Sequence, residues 1–405
     1  LARNRNFTLL WGGQALAEVG FSASMIAFPL LVLAITGSPA ASGLVLAADA
    51  AAQLLAGLPA GAAVDRWDRK KIMLGCEAAQ AISLATLVGA LWWSVATVPH
   101  MVAVAAVMGV CRALFEPAED ACLVRVVPEE QLATAIAMNS ARSSLGQMSG
   151  TALGGLLFAI GRWVPFLVDL VTHSAAFFAL LFLRVPAREV RRTPVRHIGR
   201  EIVEGLRWVW RRPEIRVTAL CAVTLNLFFT AFYLVVIVLA QSRGVSPAQI
   251  GVMAAMLGVG GVLGALIAPW LHRTLSPYTS IAGVFWVLAL LTPVAVFVHN
   301  GYLMGALFAG MALLAPTANT TIGTHQLLLT PDELRGRLSG VMNVVTGVAG
   351  AVGPVLGGVL TELLSAEHAV LVCAAGIAVV TVLVTVNPTL RHYPQGSPPR
   401  KDAMA

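Results

Sequence analysis

Apolar stretches of twenty residues or more follow one another almost without break from residue 7 to residue 387. Few folds are open to such a chain. About 20 consecutive apolar residues let a helix cross the hydrocarbon core of a bilayer. With no water there to satisfy backbone groups, each crossing segment must be a helix. Apolar windows place twelve spans near residues 7–35, 41–64, 72–93, 99–123, 131–160, 164–183, 215–240, 247–271, 278–298, 301–325, 335–362 and 368–387. The expected fold is an all-α membrane protein of twelve transmembrane helices, several long enough to tilt. Composition agrees: 12% of residues are charged, about half the 25% of a soluble domain. The first run is too long for a signal peptide and has no small-residue cleavage site. The net charge of +7 has no soluble region to carry it to nucleic acid, so no nucleic-acid partner is expected.

Lys and Arg set the orientation. If the N-terminus is cytoplasmic, 23 of the 27 basic residues fall on the cytoplasmic side. Arg162 and Arg243 fall in outside loops, and Arg112 and Arg142 lie within spans. By the positive-inside rule both termini are expected in the cytoplasm. Arg outnumbers Lys by 24 to 3, which points to a GC-rich bacterium and so to a bacterial inner membrane. The longest polar stretch separates six spans from six. It divides the chain into a first half (1–183), a basic cytoplasmic linker (184–214), a second half (215–390) and a cytoplasmic tail (391–405). Within the linker Ile202, Leu206 and Val209 share one helical face. That pattern suits an amphipathic helix on the inner leaflet, and equally a solvated basic linker.

The halves repeat each other. VPEEQLATAIAMNSARSSLGQMSGTALGGLL from Val127 aligns with TPDELRGRLSGVMNVVTGVAGAVGPVLGGVL from Thr330 at an offset of 203. Pro128 meets Pro331, and Gly150, Gly154 and Gly155 meet Gly353, Gly357 and Gly358. Gly61 meets Gly264 at the same offset, and SPAASG at Ser38 meets SPAQIG at Ser246 at 208. Parallel repeats of this kind predict two pseudo-symmetric six-helix halves.

Between spans 2 and 3 the stretch GAAVDRWDRKK (residues 61–71) crowds Asp65, Arg66, Asp68, Arg69, Lys70 and Lys71 into one short break. Span 5 carries GQMSGTALGG from Gly146, and span 11 carries GPVLGG from Gly353. With the six-plus-six repeat and the basic central loop, these stretches resemble the major facilitator superfamily. That family has G-x-x-x-D-R-x-G-R-K between spans 2 and 3; Gly61, Asp65, Arg66, Arg69 and Lys70 match, and Asp68 replaces the later glycine. The span 5 stretch resembles the G-x-x-x-G-P-x-x-G-G of its exporters, with Thr151 in place of proline. PFLVDLVTHSAAFF, FEPAEDA and EGLRWVWRRPEIR are similar to the branch with macrolide and enterobactin exporters. The resemblance implies a drug/proton antiporter working by alternating access. It implies a cytoplasmic latch, formed when Gly61 lets span 2 approach span 11 closely and Asp65 pairs with the loop arginines. The glycines Gly146, Gly150, Gly154, Gly155, Gly353, Gly357 and Gly358 are expected to pack helices.

An ionisable residue inside a span is expensive and is read as functional. Glu18, Asp49, Glu77, Arg112, Glu116, Glu119, Asp120, Arg142, Asp169 and His173 qualify, all in the first half. The second half offers only Glu362 and Glu367 near an outer end, so it is expected to supply an apolar wall. Glu18 and Arg112 fall near the middles of spans 1 and 4, which line the cavity in this superfamily. An acid there facing an arginine recurs in proton-coupled drug exporters. Glu18, Asp49 and Arg112 are therefore the expected sites of proton coupling or substrate binding. Glu116, Glu119 and Asp120 are read as local ion-pair partners, with Glu116 and Arg142 as secondary candidates. Asp169 and His173, four apart on span 6, are further secondary candidates, His173 as a packing residue or proton relay.

No H-E-x-x-H, G-x-S-x-G or G-x-x-x-x-G-K-[ST] occurs, so enzyme chemistry and ATP drive have no visible machinery. Neither a cofactor nor a metal is expected. Cys76, Cys111, Cys122, Cys221 and Cys373 sit in or near apolar stretches as packing residues. The expected partners are a small-molecule substrate, protons and membrane lipids, and the expected state is a monomer. A lipid or lysolipid flippase of the same fold is the alternative; a membrane enzyme or receptor is the remote one.

Overall fold

The computed structural model describes residue 1, residues 4–184 and residues 206–391. Among the described residues almost all are helical and none is in a strand. The first half comprises α1 (Arg5–Thr36), α2 (Pro39–Arg66), α3 (Arg69–Trp92), α4 (Val98–Val126), α5 (Glu129–Ile160) and α6 (Val164–Leu181). The second comprises α7 (Pro213–Ser242), α8 (Pro247–Thr274), α9 (Pro277–Leu291), α10 (Gly301–Ala312), α11 (Ala315–Leu328), α12 (Asp332–Leu363), α13 (Ala366–Val386) and the short α14 (Pro388–Arg391). The tenth span is α10 and α11 in sequence, broken just ahead of Pro316, which cannot donate to the helical ladder. Among the described residues eleven spans are long and apolar enough to cross a membrane. The other long helix, α5, carries Arg142 and many small polar residues. Residues 185–205 lie outside the described part, and with them Ile202 and most of the expected amphipathic helix. Residues 206–211 are helical; Val209 packs beside Ile215 and Leu338, while Leu206 is exposed.

Local chemistry starts the helices. Ser38, Ser246 and Ser276 each precede a proline at the first helical position, and each side chain accepts a backbone N–H of the first turn. Asn4 does this for α1, Asn300 for α10 and Asp68 for α3. Asp68, which replaces the glycine of the family pattern, is therefore the cap of α3.

Helix association in lipid depends on close packing, because lipid is as apolar as leucine. The repeat supplies that packing twice. A side chain at Gly154 of α5 would strike the Ala23 carbonyl of α1; one at Gly357 of α12 would strike the Ala231 carbonyl of α7. Across the halves, Gly155 sits on Pro247 and Gly251 of α8, while Gly358 sits on Pro39 and Ala40 of α2. The two Ser-Pro starts matched in the sequence thus receive the two matched glycines.

The bundle has a basic end, with the α2–α3, α4–α5, α8–α9 and α11–α12 connections, and an opposite end. Trp67, Trp210 and Trp270 are exposed near the basic end and Trp92 and Trp93 at the other. Indole rings at two levels suit the two membrane interfaces. At the opposite end the halves are locked together by the Gly155 and Gly358 crossings. There Glu362 of α12 accepts hydrogen bonds from Ser38 Oγ (2.9 Å) and the Ala40 N–H (3.2 Å), which caps α2 from the other half.

Candidate functional site

Three connected spaces lie behind this closed end. A cavity of about 550 Å³ sits between the halves. Glu18, Asp49, Arg112 and Phe21 form its first-half wall; Phe229, Thr230, Tyr233, Leu257 and Pro354 face them from the second half. A recess of about 780 Å³ runs toward the basic end between α2, α4 and α12 and shares Gly350 with the cavity. A side chamber of about 260 Å³ enters the first half and shares Glu18, Phe21 and Arg112 with the cavity.

Glu18 and Arg112 stand where cavity and chamber meet. Arg112 Nη2 is 3.6 Å from Glu18 Oε1, and its Nε donates to Glu116 Oε1 at 2.9 Å. The guanidinium also lies 4.6 Å from the centre of the Phe21 ring, a cation–π distance. The closer acid is one turn along the same helix, so Arg112 keeps a partner if Glu18 lets go. Gly146 of α5 makes room for the acid, since a side chain there would run into Glu18 Cγ and Cβ. Asp49 lines the same cavity without touching this pair, and its Oδ1 is buried with no hydrogen-bond partner.

Arg142, a secondary candidate, meets Glu119, which was expected to pair locally. It forms a two-pronged pair with Glu119, Nη1–Oε1 at 2.6 Å and Nη2–Oε2 at 3.0 Å, which ties α5 to α4. Both side chains are buried. Deeper in the chamber His173 Nδ1 lies 2.6 Å from Glu77 Oε2, and Gln14 Nε2 donates to Glu77 Oε1 at 2.8 Å. His173 Nε2 approaches Asp169 Oδ1 at 3.3 Å without the alignment of a hydrogen bond.

The sequence expectation for the latch differs from the structure at Gly61. No close approach occurs at Gly61: it is exposed, with open space where a side chain would be. The reason is that α2 leans on α12 at the opposite end, and the recess separates their basic ends. Asp65 and Arg66 are exposed at this rim. Arg69 Nη1 donates to the Ala121 carbonyl at 2.8 Å. Lys70 Nζ donates to the Leu181 and Leu183 carbonyls at 2.8 and 2.7 Å, where it meets the negative end of α6. All of these bonds run to carbonyls of the first half.

Sequence reasoning passed over Gln14 and gave Glu362 no role beyond an acid near an outer end. A neutral amide in an apolar helix gives only a weak signal, and a carboxylate near a helix end reads as a surface group. Nor did spacing show that Glu77 faces His173, because the two lie 96 positions apart.

The family model described as Major Facilitator Superfamily matches residues 10–326. The multidrug efflux pump Tap of Mycolicibacterium fortuitum is 28% identical over 402 residues, covering 95% of this chain and 96% of Tap. The enterobactin exporter EntS of Escherichia coli O9:H4 (strain HS) is 24% identical over 382 residues, covering 92% and 89%. Among solved structures, the nucleoside transporter NupG superposes with a TM-score of 0.75 at 12% identity, covering 96% of this chain and all (100%) of that one. A bacterial homolog of the human lysosomal transporter Spinster, inward-facing and unoccupied, gives 0.67 at 16% identity, with 95% of each chain covered.

Proposed function

The chain belongs to the Major Facilitator Superfamily, and on that premise we propose that this transporter exports amphipathic small molecules (drug-, antibiotic- or siderophore-like) by proton-coupled alternating access. It sits in a bacterial inner membrane with both termini in the cytoplasm, an orientation supported by the 23 of 27 basic residues on one side. The exporter reading is supported by relatives named as a multidrug efflux pump and an enterobactin exporter. With the basic end cytoplasmic, the structure is open to the inside. Cargo enters through the recess and reaches a cavity of about 550 Å³, a size that suits a drug-sized ligand. One wall offers carboxylates and a guanidinium, the other aromatic and aliphatic surface, so a molecule with one polar and one apolar side fits.

The observation that carries the reading is the Glu18–Arg112 pair at the cavity wall. Its 3.6 Å separation is loose, and Arg112 has Glu116 as a second acceptor. A proton or a cationic cargo on Glu18 can therefore release it without stranding the arginine. A ligand or proton shifts a two-state protein only through its different affinity for the two states. Glu18, on α1 at the seam between halves, is placed to feel that difference.

The test is accumulation of a panel of lipophilic cations, antibiotics and catecholate siderophores in pump-deficient cells with and without the protein. Accumulation of at least one amphipathic compound should fall several-fold, and Glu18→Gln should abolish the effect. Unchanged accumulation across the panel would overturn the export reading.

A further inference from the structure

Three titratable side chains are enclosed deep in the first half, where the exporter reading assigns them nothing. Glu77 of α3 is 1% exposed, Asp169 of α6 0% and His173 of α6 4%. The imidazole stands between the carboxylates, 2.6 Å from Glu77 and 3.3 Å from Asp169. The enclosure is tight: α1 passes so close that a side chain at Gly20 would strike Asp169 and Thr172. Glu77 is well served, with His173 on one oxygen and Gln14 on the other. Neither Asp169 oxygen has a hydrogen-bond donor.

Charge does not balance here. If His173 carries its second proton, two carboxylates still face one cation. The charged and titratable groups looking toward the cluster are Glu18 from α1, Cys76 from α3, Cys111, Arg112, Glu116, Glu119 and Asp120 from α4, and Arg142 from α5. Both arginines are engaged elsewhere, Arg112 by Glu18 and Glu116 and Arg142 by Glu119. A surplus charge in so dry a place is removed at least cost by a proton. Among the described residues no group of three or more His, Cys, Asp or Glu is arranged to hold a metal ion. A route exists, because Glu77 and His173 line the side chamber that also holds Glu18 and Arg112. Asp169 is not on the chamber wall, and the imidazole is its link to it.

We propose that the Glu77–His173–Asp169 cluster is a second proton-binding site, loaded and emptied through the Glu18–Arg112 chamber. In the empty form both acids are carboxylates around an imidazolium. In the loaded form one more proton sits on Asp169: the imidazolium gives up its Nε2 proton to Asp169, the neutral ring is reprotonated from chamber water, and the cluster is neutral. Nothing is oxidised or reduced, and the proton returns by the same path. Protons stored here would be exchanged when movement of α1 opens or closes the chamber. This role rests on the proton-coupled reading, but the binding site can be judged without it.

The experiment is infrared difference spectroscopy of the full chain in phosphatidylethanolamine/phosphatidylglycerol vesicles, stepped between acidic and alkaline buffer. The background carries Glu18→Gln and Asp49→Asn, so the cavity acids are silent. One protonated-carboxyl band should still titrate, shift in heavy water, and vanish when Asp169→Asn is added. His173→Gln should slow its exchange at least tenfold. Absence of any titrating carboxyl band in the background protein overturns the proposal, whether or not the cluster variants fold. So does a band that survives Asp169→Asn. A second arm follows ethidium in vesicles with an imposed pH gradient. If the wild type moves no ethidium while the band behaves as expected, the exporter reading fails and the proton site stands. If the wild type concentrates ethidium and His173→Gln does so equally well, the coupling role of the cluster is overturned.

Discussion

At the scale of single residues, the first half is held by charges that do not solvate themselves. Glu119 and Arg142 are both buried and doubly bonded to each other. Removing one partner of such a pair costs about 3–5 kcal/mol, because the other is left buried and alone. Glu119→Gln should therefore lower the thermal unfolding midpoint of the purified protein clearly. The double change Glu119→Leu with Arg142→Met should recover most of that loss, since an apolar pair of similar volume is close to neutral. Scanning-fluorimetry midpoints that fall additively would contradict this account of the pair. Much of the site was readable at this scale, because a charge in an apolar helix stands out. The partners were not. Arg142, a secondary candidate, bonds across to α4, while His173, read as packing or a proton relay, joins Glu77. Those links depend on how α3, α4, α5 and α6 are rotated, which spacing along one helix does not specify.

At the scale of elements, the proposed alternating access makes α2 the arm that decides which end is open. Its Ser38 end is clasped by Glu362, and its Asp65 end stands at the rim of the recess. The two carboxylates should then bias the protein in opposite directions. Glu362→Gln weakens a charge-assisted cap worth about 1 kcal/mol and should favour the state open at the opposite end. Asp65→Asn should disfavour that state by about 1–2 kcal/mol, roughly 5–30-fold in population, and lower transport without loss of expression. Electron–electron distance measurements between labels at Leu58 on α2 and Val344 on α12 report both. The mean separation should shorten in Glu362→Gln and lengthen in Asp65→Asn; shifts of the same sign would refute opposed roles. The sequence showed a polar break after span 2 and a glycine before it. It could not show that Gly61 faces open space, because a helix-packing glycine serves only the conformation in which its partner is near.

At the scale of the whole molecule, the repeat was the most legible feature. Glycines matched at an offset of 203 fill matched positions, on α1 and α7 and on the Ser-Pro starts of α8 and α2. The division of labour between the halves follows from the same comparison. Ionisable side chains line the first-half wall, and aromatic and aliphatic groups face them. Under the proposed alternating access such a bundle rocks about its seam, and proton and cargo meet at Glu18. The direct test uses purified protein in sealed vesicles, with an imposed pH gradient and a fluorescent lipophilic cation, recording cargo flux and proton flux together. The account predicts that the wild type concentrates the cation with opposed proton movement, and that Glu18→Gln loses this uphill transport. A Glu18→Gln protein that still concentrates the cation, with proton flux unchanged, would contradict it.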